Sequence, residues 1–315
     1  MKRPNALDRF GLAGRVPIFI GAWIALFLAS NLLLEMRGNT NPHSRYALLC
    51  ALSEDHSPRI DSYVGMTVDW ARTPDGHYYS NKAPGPALLA FPLFWPIDRL
   101  LTHGLSRRGD RDAQRLRYRW QIERWLSLLL QALPFALLVL AAACLLWREG
   151  IDPEAIRFFC AACLFGNTAS VFMNTFFGHG MAAVWTLGLA IALWRRHLPA
   201  AGLCFGMSLL SDYGSALYLP GLLVAIALLA PGLRGWLGWI AGGAPAAIAW
   251  CVYHTACFGS PWVLPNRYQN PQFVDAHGSA VWGVIDWVPH GSALWELLVG
   301  SRRGLLWTQP WVLIA

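Results

Sequence analysis

Uncharged apolar runs of about 20 residues recur through this chain, separated by short polar connections, and that is the length an α-helix needs to cross a bilayer. Val16 to Leu34 is one such run, and Trp125 to Trp147 is another. At about 1.5 Å of rise per residue, each can traverse roughly 30 Å of hydrocarbon. A single run of this kind is equally consistent with the buried core helix of a large soluble protein. Their repetition selects a polytopic helical membrane protein. Composition agrees, with 55% of residues hydrophobic and 14% charged, where a soluble domain is about a quarter charged.

The runs that read as spans are Val16–Leu34, Trp125–Trp147, Phe158–Thr175, Met181–Trp194, Leu198–Leu210, Gly214–Ala230, Gly235–Tyr253 and an incomplete one from Gly304. The prediction is an all-α bundle of about seven to nine spans with a large first outer loop carrying interfacial helices. Met181–Trp194 and Leu198–Leu210 are short for full crossings. They either lengthen into their flanks or are broken helices facing a cavity. The last apolar segment, Leu305–Ala315, meets the end of the sequence. Residues 1–315 therefore read as one transmembrane domain whose C-terminal part is missing. The first span follows a basic head (Lys2, Arg3, Arg9, Arg15) and has no clean small-residue cleavage site. That pattern is a signal anchor with its N-terminus inside the cytoplasmic membrane.

A net charge of +7 in such a chain belongs to membrane-flanking loops, where Lys and Arg set topology and meet anionic lipid. Nucleic acid is excluded as a partner on that ground. Seven cysteines are scattered, and Cys160 and Cys163 form a C-x-x-C within a span. Without a second Cys or His pair they make no zinc site and read as small buried hydrophobes. His254, His277 and His290 lack metal spacing, so no cofactor is expected; a divalent cation stays open, but spacing does not indicate one.

Topology turns on Ala83–Leu101, APGPALLAFPLFWPIDRLL, with four prolines and an Asp-Arg pair near its end. Crossing there would put the arginines at 107, 108, 111, 115, 117, 119 and 124 in the cytoplasm, as the positive-inside rule favours. Dipping and returning would instead gather Glu35–Asn81, His179, Asp212 and Phe258–Arg303 on one outer face, with Trp147–Arg157, Arg195–Arg196 and Arg234 inside. The prolines favour the second arrangement. Within the first loop, Ser44–Leu52 has helical apolar spacing and is expected to lie flat on the surface. Arg99–Arg124 reads as an Arg-rich connection. The tryptophans of the last loop (Trp262, Trp282, Trp287, Trp295) suit an interfacial belt or stacking on sugar faces.

The densest polar cluster runs from Ile60 to Gly85, IDSYVGMTVDWARTPDGHYYSNKAPG. Lys82 before Ala-Pro-Gly can seat a cation at the start of a helix, where backbone N–H groups also favour phosphate. A nearby carboxylate, among Asp61, Asp69 and Asp75, can serve as general base toward an acceptor hydroxyl. An ordinary solvated loop has the same composition. Two further residues stand at the ends of spans. His179, in Phe-Phe-Gly-His-Gly, is either functional or a histidine bonded to a backbone carbonyl. Asp212 carries a charge close to hydrocarbon, which is costly and points to function.

The order of these features resembles the membrane-embedded glycosyltransferases of the GT-C superfamily, nearest the branch of protein O-mannosyltransferases and lipid A aminoarabinose transferases. Ser44-Arg45-Tyr46-Ala47 resembles that branch's Arg-Tyr-Ala helix, and Lys82-Ala83-Pro84-Gly85 its Lys-Pro-Pro segment. Gly206 to Gly214 is similar to its Gly-Leu-x-x-Leu-Thr-Lys-Gly segment. His77 to Gly85, Phe177 to Gly180 and Ser301 to Leu306 look like a bacterial subgroup. The resemblance implies transfer of a sugar from a polyprenyl-phosphate carrier, with inversion, to a glycan, lipid or protein acceptor at the outer face of the membrane. Lys82 would hold the phosphate, and Asp61 or Asp69 would act as base. Arg45, Tyr46 and Tyr79, with His179, Asp212 and Tyr213, would contact substrate. Two positions depart from the pattern. Gly38 to His43, after the first span, holds no carboxylate where the family has its acid, and Asp212-Tyr213 replaces Lys-Gly. A flippase or transporter of a lipid-linked substrate, and a non-catalytic membrane scaffold, are the rival functions.

Overall fold

In the computed structural model, which describes residues 16–33, 40–229, 232–273, 291–301 and 304–309, the chain is mostly helical. The apolar runs form α1 (Val16–Leu33), α5 (Leu133–Arg148), α6 (Pro153–Phe165), α8 (Gly178–Trp194), α9 (Leu198–Ser211), α10 (Leu219–Leu229) and α11 (Leu233–Phe258). Their ends have local causes. Asp152 caps α6 by accepting from the Glu154 and Ala155 amides, Pro153 occupies its first turn, and the helix stops at Gly166. α11 ends at Gly259, whose φ of 78° closes the last turn.

Neighbouring contacts give the directions. Phe19 meets Arg157 and Phe27 meets Phe165, so α1 and α6 run the same way. Pro199, Gly202 and Gly206 meet Gly242, Gly243 and Ala246 in turn, so α9 and α11 are also parallel. Gln131 lies by Gly180 and Leu138 by Gly188, which sets α5 alongside α8. A tight reversal at Arg195–His197 makes α8 and α9 antiparallel. The turn 149–152, the turn 195–197 and Arg234 therefore lie at the far ends of these helices, away from His179 and Asp212.

The other end carries a polar layer built from the first loop. α2 (Thr40–Glu54) lies between α3 (Gly85–Leu101) and α4 (Arg108–Ser127). Its start touches a hairpin of β1 (Trp70–Arg72) and β2 (Tyr78–Ser80), paired Trp70 to Ser80. Ser44 Oγ bonds Ser80 Oγ at 2.7 Å and the Asp69 carbonyl at 2.5 Å. Near the end of α2, the Ser53 hydroxyl reaches Asp98 of α3 at 2.6 Å. α4 runs back along α2, from Arg108 beside Asp55 to Trp120 edge-on to His43. The segment after α11 joins the hairpin, with the Asn270 amide donating to the Trp70 carbonyl at 3.0 Å. The first loop and the start of the last one thus share a layer.

A buried ion cluster pins α3. Arg115, with a fully buried side chain, donates to Asp98 through Nε at 2.7 Å and Nη2 at 2.8 Å, and also to Glu54 and Asp112. Arg111 bonds Glu54 from the solvent side. α3 remains helical through Pro92 and Pro96. It is not among the described helices long and apolar enough to cross a membrane.

Three expectations change. Ser44–Leu52 does not lie on the surface: residues 42–51 of α2 are all buried, because α3, α4, the hairpin and the end of α11 cover every face. Arg99–Arg124 is not merely a connection, since α4 continues through a single π turn, Leu128–Ala132, into α5. Arg111 and Arg115 are neutralised there by Glu54 of α2 and Asp98 of α3, and Arg108 by Asp55 and Asp112. Among the described residues, two helical stretches are long and apolar enough to cross a membrane, Arg108–Arg148 and Leu233–Phe258. The bent pair Pro153–Phe165 and Thr168–Asn174 makes a third if counted as one. Pro17–Leu33, Gly178–Trp194, Leu198–Ser211 and Tyr213–Leu229 are apolar but shorter. At about 1.5 Å per residue, 14 residues of α9 reach only about 21 Å. α11 turns Leu237, Ile240, Ile248 and Val252 outward, each more than half exposed. An apolar face of that extent suits lipid or a partner rather than water.

Candidate functional site

The starts of α2, α3 and α8 and the end of α9 converge where the polar layer meets the apolar helices. Lys82 follows β2 directly. Its Nζ donates to Asp69 Oδ1 at 2.8 Å, with side chains 20% and 8% exposed. The other Asp69 oxygen accepts from the Thr40 hydroxyl at 2.8 Å. Three residues on, Gly85 packs against α9, and a Cβ there would lie 2.6 Å from the Leu210 carbonyl oxygen. This close approach brings the Lys82 segment to the end of α9.

Arg45 projects from the first turns of α2 into the same place. Its guanidinium bonds the Asn41 side chain and carbonyl, and it lies against Gly178 at the start of α8. A Cβ at Gly178 would stand 2.7 Å from Arg45 Nη2 and closer still to the Ser211 carbonyl. Arg45 Nε is buried and has no hydrogen-bond partner. Burial lowers the guanidinium to about 10, against the charges of Asp212 and Asp69, which raise it. Burial also pulls Lys82 below its ordinary value despite the Asp69 carboxylate, and Arg45 adds to that. Two cations thus stand within electrostatic reach of each other in a site that penalises bare charge.

His179 and Asp212 complete the group. Asp212 closes the end of α9 and accepts from the Gly214 amide at 3.0 Å. Its other oxygen bonds His179 Nδ1. Burial pushes the Asp212 carboxyl up, but the His179 bond and charge, the Gly214 amide and Arg45 outweigh it and leave the group below the usual carboxylate range. The His179 ring is flanked by Phe172 at 5.0 Å and Phe177 at 5.9 Å between centroids.

Arg45, Asp69, Lys82, His179 and Asp212 are therefore neighbours. The remaining sequence candidates lie elsewhere. Asp61 is on the exposed side of the hairpin, bonded to His77 Nδ1 at 2.8 Å and to the Tyr78 amide at 2.6 Å. Tyr46 points into the core, donating to the Arg115 carbonyl at 3.0 Å and packing on Phe94. Tyr79 is buried against Phe258. Tyr213 bonds His254 Nε2 at 3.0 Å and meets Trp250 edge-on. His277, His290, Trp282 and Trp287 lie outside the described residues, as do the basic head and residues 310–315.

Sequence reasoning missed Gln131. It sits in the π turn, fully buried, against Gly180, and neither side-chain polar atom has a partner. A π turn in a long helix commonly marks a functional position. The legible signal was a lone amide in an apolar run. Among the described residues, no three His, Cys, Asp or Glu side chains gather as a metal site would require. No protein-family model, curated protein or solved structure matches the chain.

Proposed function

We propose that this chain is a multi-pass membrane glycosyltransferase that takes a sugar from a polyprenyl-phosphate carrier. The observation that carries the reading is the pair of buried cations where the polar layer meets apolar helices, Arg45 at the N-terminus of α8 and Lys82 just before that of α3. A phosphate diester brings a further anion, and Arg45 itself has no carboxylate among its described hydrogen-bond partners. Backbone N–H groups at a helix start and a guanidinium with an unpartnered Nε can share it. The carrier's hydrocarbon tail suits the apolar faces that flank the site. Asp69, saturated by Lys82 and Thr40, holds the lysine in place.

On this reading α1, α5, α6 and α8 to α11 cross the inner membrane of a bacterium, with the polar layer on the outer face. The short helices cross where the bilayer thins around the site or by way of their polar flanks. Arg148, Arg157, Arg195, Arg196 and Arg234 then face the cytoplasm, in keeping with the positive-inside rule. The arginines of α4 lie outside against that rule, but those at 108, 111 and 115 are bound to acids of α2, α3 and α4. The acceptor is a glycan, lipid or protein of the cell envelope.

The test is binding of undecaprenyl phosphate, followed by transfer from its glycosylated forms, by the full chain in nanodiscs. Lys82→Ala and Arg45→Ala should each weaken binding about tenfold or more, since a charge-assisted hydrogen bond contributes about 1.5–3 kcal/mol. Equal binding by wild type and both variants would rule out this phosphate site.

A further inference from the structure

We infer that His179, oriented by Asp212, is the group that takes the proton from the acceptor hydroxyl. The inference rests on the glycosyltransferase reading and concerns the base, for which the family resemblance offers Asp61 or Asp69. A base needs a free lone pair, a fixed orientation and a place beside the leaving phosphate. Asp69 is committed to holding Lys82, since taking a proton there would break that ion pair. Asp61 has both oxygens engaged within the hairpin.

His179 meets all three. Its Nδ1 bonds Asp212, so an Nδ1–H donated to that carboxylate leaves the lone pair on Nε2. Nε2 has no partner among the described residues, and the side chain is 53% exposed. The ring packs against Phe172 and Phe177, whose own rings are 5.2 Å apart, and these with Asp212 restrict its rotation. Its neighbour Gly178 touches Arg45, and its partner Asp212 is within electrostatic reach of Arg45, so the imidazole borders the phosphate site. Among the described residues Asp212 makes no other bond to a side chain, and the Gly214 amide holds its second oxygen.

The step balances with these groups alone. Nε2 takes the acceptor proton as the acceptor oxygen bonds to the anomeric carbon. The bond from that carbon to the phosphate oxygen breaks, and its electron pair leaves with polyprenyl phosphate. Arg45 and Lys82 meet the added negative charge. The imidazolium, stabilised by the Asp212 carboxylate, then returns its proton to water. Asp212 is a positioning residue and His179 the catalytic one.

The groups facing the imidazole are Asp212 at the end of α9, Phe172 and Phe177, Arg45 across Gly178 and Gln131 across Gly180. The experiment uses the full chain in nanodiscs, undecaprenyl phosphate carrying labelled hexoses and pentoses, and a bacterial envelope extract as acceptor, with transfer to water also scored. His179→Gln should lower kcat about 100-fold or more, the scale of general-base catalysis. Its KM and its affinity for undecaprenyl phosphate should stay within about threefold of wild type, since a base lost from the transition state leaves binding intact. The acid limb of the wild-type kcat profile should vanish in this variant. Asp212→Asn should lower kcat less and displace that limb. Wild-type turnover matched by His179→Gln would overturn the inference and leave the transferase standing. Loss of undecaprenyl phosphate binding in His179→Gln would also overturn it, by making the residue a binding group. No wild-type turnover of any carrier would overturn the transferase reading and this inference with it.

Discussion

Replacing Arg115 by methionine should remove the tie that holds α3, and with it the placement of Lys82. The guanidinium is fully buried and is the only described cation on Asp98, itself 1% exposed. Its loss strands a carboxylate in the core and leaves the inner side of Glu54 unpaired. Breaking a buried pair in this way costs about 3–5 kcal/mol, whereas replacing both partners by apolar groups is often neutral. At about 2–4 °C per kcal/mol for a chain of moderate size, the melting midpoint should fall by about 10 °C. The assay is thermal unfolding of the detergent-solubilised protein, followed by intrinsic tryptophan fluorescence at fixed scan rate. Arg111→Met is the internal comparison, because its side chain is 23% exposed and its partner Glu54 keeps Arg115. It should cost no more than about 1 kcal/mol. Arg115→Met combined with Asp98→Leu should recover most of the loss. A single Arg115→Met within about 2 °C of wild type would refute the reasoning, given the expected cost of an unpaired buried carboxylate. So would a double variant no more stable than the single one.

The remaining predictions concern the same layer and the site. Glu54 is held at about 2 in the folded chain, first by the Arg111 bond and then, against burial, by Arg115, from an ordinary 4.5. A depressed carboxylate contributes stability above its unfolded value and loses it as pH falls, so melting temperature should decline between pH about 4.5 and about 2; a flat profile there would contradict the ion cluster. Gly178→Ala should displace Arg45 and the end of α9, costing about 1–3 kcal/mol of overpacking, and should weaken undecaprenyl phosphate binding. Gly65→Ala, which meets nothing within 4 Å, should do neither; equal effects would separate Gly178 from the site. Asp69→Asn should raise KM for the carrier more than it lowers kcat, because it frees Lys82; a kcat loss alone would make Asp69 the base instead.

Much of the layout was legible one residue at a time. Apolar run length marks the helices, since hydrophobicity and the rise per residue are local properties. Asp152-Pro153 and Gly259 mark helix ends because capping is local too, whereas the break at Gly166 falls inside what reads as one apolar run, Phe158–Thr175. The chain also displays Arg45, Lys82, His179 and Asp212 as polar residues beside apolar runs. What it does not display is pairing. Whether Arg115 is a topogenic loop residue or the buried partner of Asp98 depends on α2 and α4 lying antiparallel. Asp61 and Asp69 look alike in sequence, yet one is bonded on the exposed side of a hairpin and the other is locked to Lys82. The link between His179 and Asp212 spans 33 residues and exists only because α8 leaves the layer and α9 returns to it. Sequence by itself determined that the chain is built of apolar helices with polar connections. The tertiary structure alone decided which charges neutralise each other and which stay free to act, because that depends on distance and burial between segments remote along the chain.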